Sequence, residues 1–354
     1  RLYYLLLGAR RANDRAGMNE TLEQLSKQYS KSPRRLDALY AVANSYLVEN
    51  DYERYEPYYT ACYQDFVDDP KAPECHWKVA WSHYLRRKSD ASDLLKEQLK
   101  LFPASDDAPG ALYFLGRLAE DADDLTSARA YYNEIVREYP NHYYMTVSRE
   151  RLGNLPNAAF VGPTQANLFL KEIAFPSRAR TRNFEPSPST AQRLERARML
   201  ASAGLDEWAE VELRYAAQYE DQPHAVALEL ASMASRRDAP EQAIRFLKRY
   251  ASDYLYLPVD SAPEQFWKLA FPLPFRMDLE RYSKQQKLDP FFLAALIRQE
   301  SEFDPKATNT RSSARGLTVN AIVAMSAGFT FCSLRNRMQA SMTGCAPTPQ
   351  ANGL

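Results

Sequence analysis

Glu300 shares one helical stripe with Leu293, Leu296 and Ile297, which fall at i+7, i, i+3 and i+4 positions of a single 3.6-residue period. The stripe lies in Lys287–Leu317, KLDPFFLAALIRQESEFDPKATNTRSSARGL. A carboxylate on a core-facing apolar stripe is costly to ionise. Its pKa is therefore expected to rise toward the range where it donates a proton near neutrality, the profile of a general acid. A structural reading stands beside this one. Glutamate is a good helix former that often solvates a helix face, and Glu300 can equally pair with a distant arginine. Glu302, two residues on, points elsewhere and reads as a solvating residue.

The element that must carry Glu300 begins and ends sharply. Asp289 can cap its N-terminus, and Pro290 suits the first helical position, where a missing N–H costs nothing. Asp304-Pro305 ends the run, because the residue before a proline is driven out of the helical region.

Ala295–Pro305, ALIRQESEFDP, followed by Ala314-Arg315-Gly316-Leu317, resembles the catalytic-domain signature of the soluble lytic murein transglycosylases, relatives of goose-type lysozyme. Phe266–Phe275, FWKLAFPLPF, is similar to the aromatic and proline-rich lead-in to that domain. The resemblance covers about 50 residues closely and the rest only by architecture. It implies that Glu300 is the catalytic residue, with Ser301, Arg315, Gly316 and Leu317 supporting it or binding substrate. It further implies cleavage of the β-1,4 bond between N-acetylmuramic acid and N-acetylglucosamine in peptidoglycan, without water, to leave a 1,6-anhydromuramic acid end. Most glycosidases need two carboxylates; here the sugar supplies its own nucleophile, so one glutamic acid serves as acid and then as base. The implied setting is the periplasm, with peptidoglycan glycan strands as partner and no cofactor or metal. Cell-wall proteins docking on the helical repeats are a further partner class compatible with it.

Beyond Leu317 the sequence departs from the family. Met-Gln is expected there and Thr318-Val319-Asn320-Ala321-Ile322 stands in its place; the later Tyr-Asn-Ala-Gly block of the sugar groove is absent. No acid follows Asp304, and Ser, Thr, Met and Cys become frequent. A shifted reading frame or misassembled gene end produces that pattern, and residues 318–354 are expected to form an atypical, mobile tail. The expectation is a catalytic domain altered after Leu317. The alternative to an enzyme is a non-catalytic helical scaffold that binds peptidoglycan or a protein. A hydrolytic lysozyme is a third option, separable by its reducing-end product.

The remaining 280 or so residues must support that segment, and they read as helical repeats. Leu112, Leu115, Gly116, Ala119, Ala128, Tyr132, Ile135 and Pro140 have the spacing of a tetratricopeptide repeat, a helical hairpin of about 34 residues. Small residues at 116, 119 and 128 let two helices approach while Leu and Tyr fill the seam. Ala227, Leu230, Ala231, Ala234, Ala243 and Leu247 repeat the pattern; Tyr40–Asp68, Trp77–Phe102 and Leu194–Tyr219 are looser versions. Such units bury their apolar faces only by stacking. The expected fold is all-α: a tetratricopeptide-like α-superhelix followed by the start of a lysozyme-like helical domain. Its boundaries are read as repeats over 1–153, an irregular connector over 154–188 and repeats over 189–259. An aromatic and proline-rich linker over 260–280 then leads to the lysozyme-like part over 281–317.

Composition agrees. Only 11 glycines in 354 residues, beside 23 tyrosines, describe helices with aromatic packing. Equal numbers of acids and bases leave no basic footprint for nucleic acid. Leu2–Leu7 is far shorter than the roughly 20 apolar residues of a membrane span. The chain opens on Arg1, which is uninformative about a removed signal peptide. Cys62, Cys75, Cys332 and Cys345 lack CxxC spacing, so zinc is not expected; Cys62 and Cys75 form either a disulfide between neighbouring helices or two packed thiols. His76, His83, His142 and His224 read as packing or surface residues. Tyr55, Tyr58, Tyr59, Tyr143 and Tyr144 can stack on sugars but read foremost as seam fillers.

Overall fold

A computed structural model describes residues 1–156, 164–176 and 182–307. All regular structure among them is helical: seventeen α-helices, two 3₁₀ turns and no strand. None of these helices is long and apolar enough to cross a membrane. The chain divides into two compact units near residue 178.

The first unit is built from consecutive hairpins: α1 (Leu2–Arg11) with α2 (Arg15–Gln28), α3 (Pro33–Val48) with α4 (Tyr52–Asp65), α5 (Ala72–Leu85) with α6 (Ala91–Leu101), and α7 (Ala108–Asp121) with α8 (Leu125–Glu138). Helix α9 (Tyr143–Asn154) packs on α8, as does α10 (Gln165–Glu172), so the expected irregular connector contains a helix. The second unit starts with two more hairpins, α11 (Pro188–Ser202) with α12 (Asp206–Tyr219) and α13 (Pro223–Arg236) with α14 (Pro240–Tyr250). Two 3₁₀ turns at Tyr254–Tyr256 and Val259–Ser261 lead to α15 (Glu264–Ala270), α16 (Arg276–Gln286) and α17 (Pro290–Ser301). The segment expected as a linker over 260–280 thus carries α15 and the first turn of α16. Within the hairpins each helix packs chiefly on a neighbour in sequence, as a stack of hairpins requires.

Turn chemistry explains why the hairpins close. In each of the six, the connection holds one residue at positive φ: Asn13, Asn50, Arg87, Asp123, Gly204 and Asp238. Four are Asn or Asp, whose short polar side chains tolerate the left-handed region that ends a helix. Asp14, Asp51 and Asp124 then cap the following helix with a side-chain oxygen. Close approach at the seam explains the small residues. A Cβ on Gly116 would lie 2.5 Å from the Tyr132 ring, so only glycine lets α7 and α8 pack there. The second predicted set is likewise buried, from Ala227 and Leu230 on α13 to Ala243 and Leu247 on α14.

Cys62 on α4 and Cys75 on α5 form a disulfide across 13 positions of sequence, both fully buried. Tyr55 and Tyr59 fill the seam beside it, their hydroxyls donating to Ser82 Oγ and Asn44 Oδ1 at 2.7 Å each. His76 is buried against Gln98, and His83 lies between Glu56 and Asp90. These residues hold helices together.

Candidate active site

Helix α17 starts as its sequence dictates. The Asp289 carboxylate accepts a hydrogen bond from the Phe292 N–H at 2.9 Å, and Pro290 opens the helix. Leu293, Ala294, Leu296 and Ile297 are buried. Leu293, Ala294 and Ile297 meet Ile244 of α14, Leu279 of α16 and Phe303, forming a small core of their own under the helix.

The last turn of α17 departs from expectation at Glu300. Its side chain is exposed and has no hydrogen bond or ion pair among the described residues. The stripe is apolar by period, and the small core takes up Leu293 and Ile297 from it but not Glu300. Burial at Glu300 depends on what packs beyond that point, which spacing along one helix does not encode. The desolvation expected from the stripe is therefore not supplied by the described residues. Ser301 is the buried residue of this turn, and its hydroxyl donates back to the Ile297 carbonyl at 3.2 Å.

Glu302 also differs from expectation: it is held in ion pairs. It ends the helix in the left-handed region at φ 53°, and Phe303 follows at φ 65°. Two successive left-handed residues reverse the chain and tuck the Phe303 ring into the small core. The same reversal swings the Glu302 carboxylate onto α14, where Lys248 Nζ and Arg245 Nε bind it at 2.6 and 2.9 Å. Arg245 also binds Asp304 at 3.0 Å. Burial pushes the Glu302 carboxyl up, but the Lys248 and Arg245 bonds and charges outweigh it and hold it below its ordinary value. The Lys306 backbone N–H and the Arg245 guanidinium likewise hold Asp304 low, against a small burial penalty. Of the three acids in this stretch, Glu300 alone is free of a cation among the described residues.

A further anchor comes from Arg298, which the sequence reading passed over. Its Nε donates to the Ala270 carbonyl at 2.8 Å and its Nη2 to the Tyr254 hydroxyl at 2.7 Å. The guanidinium also lies 4.5 Å over the Phe271 ring. Arg298 thereby satisfies a carbonyl at the C-terminus of α15, where a cation is favoured. A basic residue inside ALIRQES was the available signal; its partners, 28 and 44 positions away, were not visible. Arg315, Gly316 and Leu317 lie outside the described residues, as do 318–354, expected as a tail.

Residues 278–325 match the family model of the Transglycosylase SLT domain. The resemblance read around Glu300 is borne out by this match, which spans α16, α17 and the Ala314–Leu317 block. Residues 111–142 match a Tetratricopeptide repeat, over α7 and α8. No curated protein matches the chain. Solved structures do. The 70 kDa soluble lytic transglycosylase of Escherichia coli is 14% identical over 95% of this chain and 54% of its own, with a TM-score of 0.40. An inactive mutant of the lytic transglycosylase Slt from Pseudomonas aeruginosa is 17% identical over 97% of this chain and 57% of its own, with a TM-score of 0.47. The chain thus spans a little over half the length of these proteins. Glu300 lies within the matched segment, exposed at the end of α17.

Proposed function

We propose that the chain is a peptidoglycan lytic transglycosylase of the cell wall, with Glu300 as acid and then base. The observation that carries this reading is the pairing pattern inside the SLT segment. Glu302 and Asp304 are neutralised by Arg245 and Lys248, whereas the neighbouring Glu300 carboxyl has no cation partner among the described residues. In the proposed reaction Glu300 protonates the departing glycosidic oxygen as the bond from the muramic acid C1 breaks. The muramic acid C6 hydroxyl then bonds to C1 and gives its proton to the Glu300 carboxylate. One bond forms for one broken, no water enters, and the product ends in a 1,6-anhydro ring. Ser301, Arg315, Gly316 and Leu317 support the site or bind the glycan in this reading.

A periplasmic setting is supported by the Cys62–Cys75 disulfide, since such bonds persist in oxidising compartments. The second reading, a helical scaffold that binds glycan or protein without cutting, is favoured by Glu300 being exposed and by the altered sequence after Leu317. Mass spectrometry of muropeptides released from purified sacculi separates the two. Anhydromuramyl products from the parent and none from Glu300→Gln support the enzyme. No product from either leaves the scaffold, and reducing ends would indicate hydrolysis instead.

A further inference from the structure

We infer that Arg298 is a positioning residue for Glu300, acting through the Ala270 carbonyl and the Tyr254 hydroxyl. This rests on the reading of Glu300 as the acid. Within its own helix the last turn of α17 is held by the Ser301 hydroxyl on the Ile297 carbonyl and by the Glu302 N–H on the Arg298 carbonyl. Its preceding core contacts end at Ile297, and Glu300 itself touches no partner among the described residues. The side-chain anchors that tie the turn to other helices lie on either side of Glu300, two residues away in each direction, with the Phe303 ring in the small core beyond. Behind it, Arg298 reaches α15 and the 3₁₀ turn that precedes it with two hydrogen bonds and a ring contact. Ahead of it, Glu302 is tied to α14.

The two straps differ in kind. The Glu302 pairs are ionic, with Arg245 and Lys248 half in water, and such pairs are screened and individually weak. The Arg298 fork is directional. It sets both a distance and a plane, because a guanidinium that binds two fixed acceptors at 2.8 and 2.7 Å while lying on a ring has little freedom left. Its acceptors are themselves anchored. Ala270 and Tyr254 are buried in the core of the second unit with Phe266 and Leu257. A shift of that core would therefore reach the Glu300 turn through Arg298, so the repeat helices of this unit serve as the rigid base of the site.

The test uses the full chain with Tyr254→Phe, Arg298→Lys and Arg298→Met. Tyr254→Phe keeps the buried ring and removes only the acceptor, so the fold survives even where an Arg298 variant lowers it. Amide hydrogen exchange is read over 299–303, and kcat and KM are read on soluble peptidoglycan fragments. The expected result is exchange about tenfold faster in that segment for Tyr254→Phe and Arg298→Met, with partial rescue by lysine. A kcat about tenfold lower at unchanged KM accompanies it, since a small misplacement of the acid slows the chemistry without weakening binding. Unchanged exchange in both variants overturns the inference. So does a raised KM at unchanged kcat, which would make Arg298 a substrate-binding residue. If the parent releases no product, the enzymatic reading fails by itself, and the exchange data alone decide whether Arg298 holds the turn.

Discussion

Lys248 binds the Glu302 carboxylate at 2.6 Å, only two residues beyond Glu300, whose carboxylate has no cation partner among the described residues. The left-handed pair Glu302 and Phe303 at the end of α17 turns the second carboxylate onto α14, and the proposed reading gives the two acids different tasks. Glutamine at each position should separate those tasks. Glu300→Gln removes the transferable proton, and release of anhydromuramyl products should fall at least about a hundredfold while the melting temperature stays within about two degrees. Glu302→Gln should do the reverse, losing about 1 kcal/mol of stability while retaining product release within about tenfold. Equal loss of product in both variants would remove the distinction.

The ion pairs also set a pH dependence of stability. Glu302 and Asp304 have folded-state values below the ordinary 4.5 and 3.8 of free Glu and Asp. A depressed carboxyl contributes stability that is complete above its unfolded value and lost as pH falls through the folded one. The contribution should therefore be intact at pH 7 and decay from about pH 4.5 downward. Melting of the parent and of Glu302→Gln checks this: the parent should lead at pH 7, and the gap should narrow steadily as pH falls below about 4.5. A gap that persists at low pH would mean that the glutamine perturbs packing rather than charge.

How far the sequence discloses this site follows from the range of each interaction. Asp289 and Pro290 start α17 where local rules place them, and Leu293 and Ile297 face the core as their spacing demands. The Gly116 seam was equally legible, because hairpin partners lie within one repeat. Glu300 was misread on burial, since a helical period reports a face and not whether a neighbour reaches it. Glu302 and Arg298 were misread or missed because their partners stand 28 to 57 positions away. The disulfide fell between: Cys62 and Cys75 were placed on adjacent helices, but two thiols and one bond leave the same sequence trace.

That bond should matter for stability and not for chemistry. Cys62 and Cys75 close a short loop between two hairpins of the first unit. Removing such a cross-link raises the entropy of the unfolded chain by an amount worth about 3 kcal/mol for a loop of this size. The double variant Cys62→Ala, Cys75→Ala, or the reduced parent, should melt earlier and be cut first by protease between α3 and α6. Loss of protection confined to the second unit would contradict this placement.

Two glycines in helices should answer the same substitution with opposite signs. Gly8, within α1, is exposed, and an added Cβ there meets nothing within 4 Å. Alanine costs less backbone entropy than glycine in a helix, so Gly8→Ala should stabilise by about 0.5–1 kcal/mol. Gly116 gains the same propensity but sets its Cβ 2.5 Å from the ring of Tyr132, which is fully buried and has no room to swing away. Overpacking there costs about 1–3 kcal/mol and should outweigh the gain. Denaturant unfolding of the two single variants checks the pair. A stabilised Gly116→Ala would mean that α7 and α8 can separate without loss, and that the seam of this repeat is looser than its contacts require.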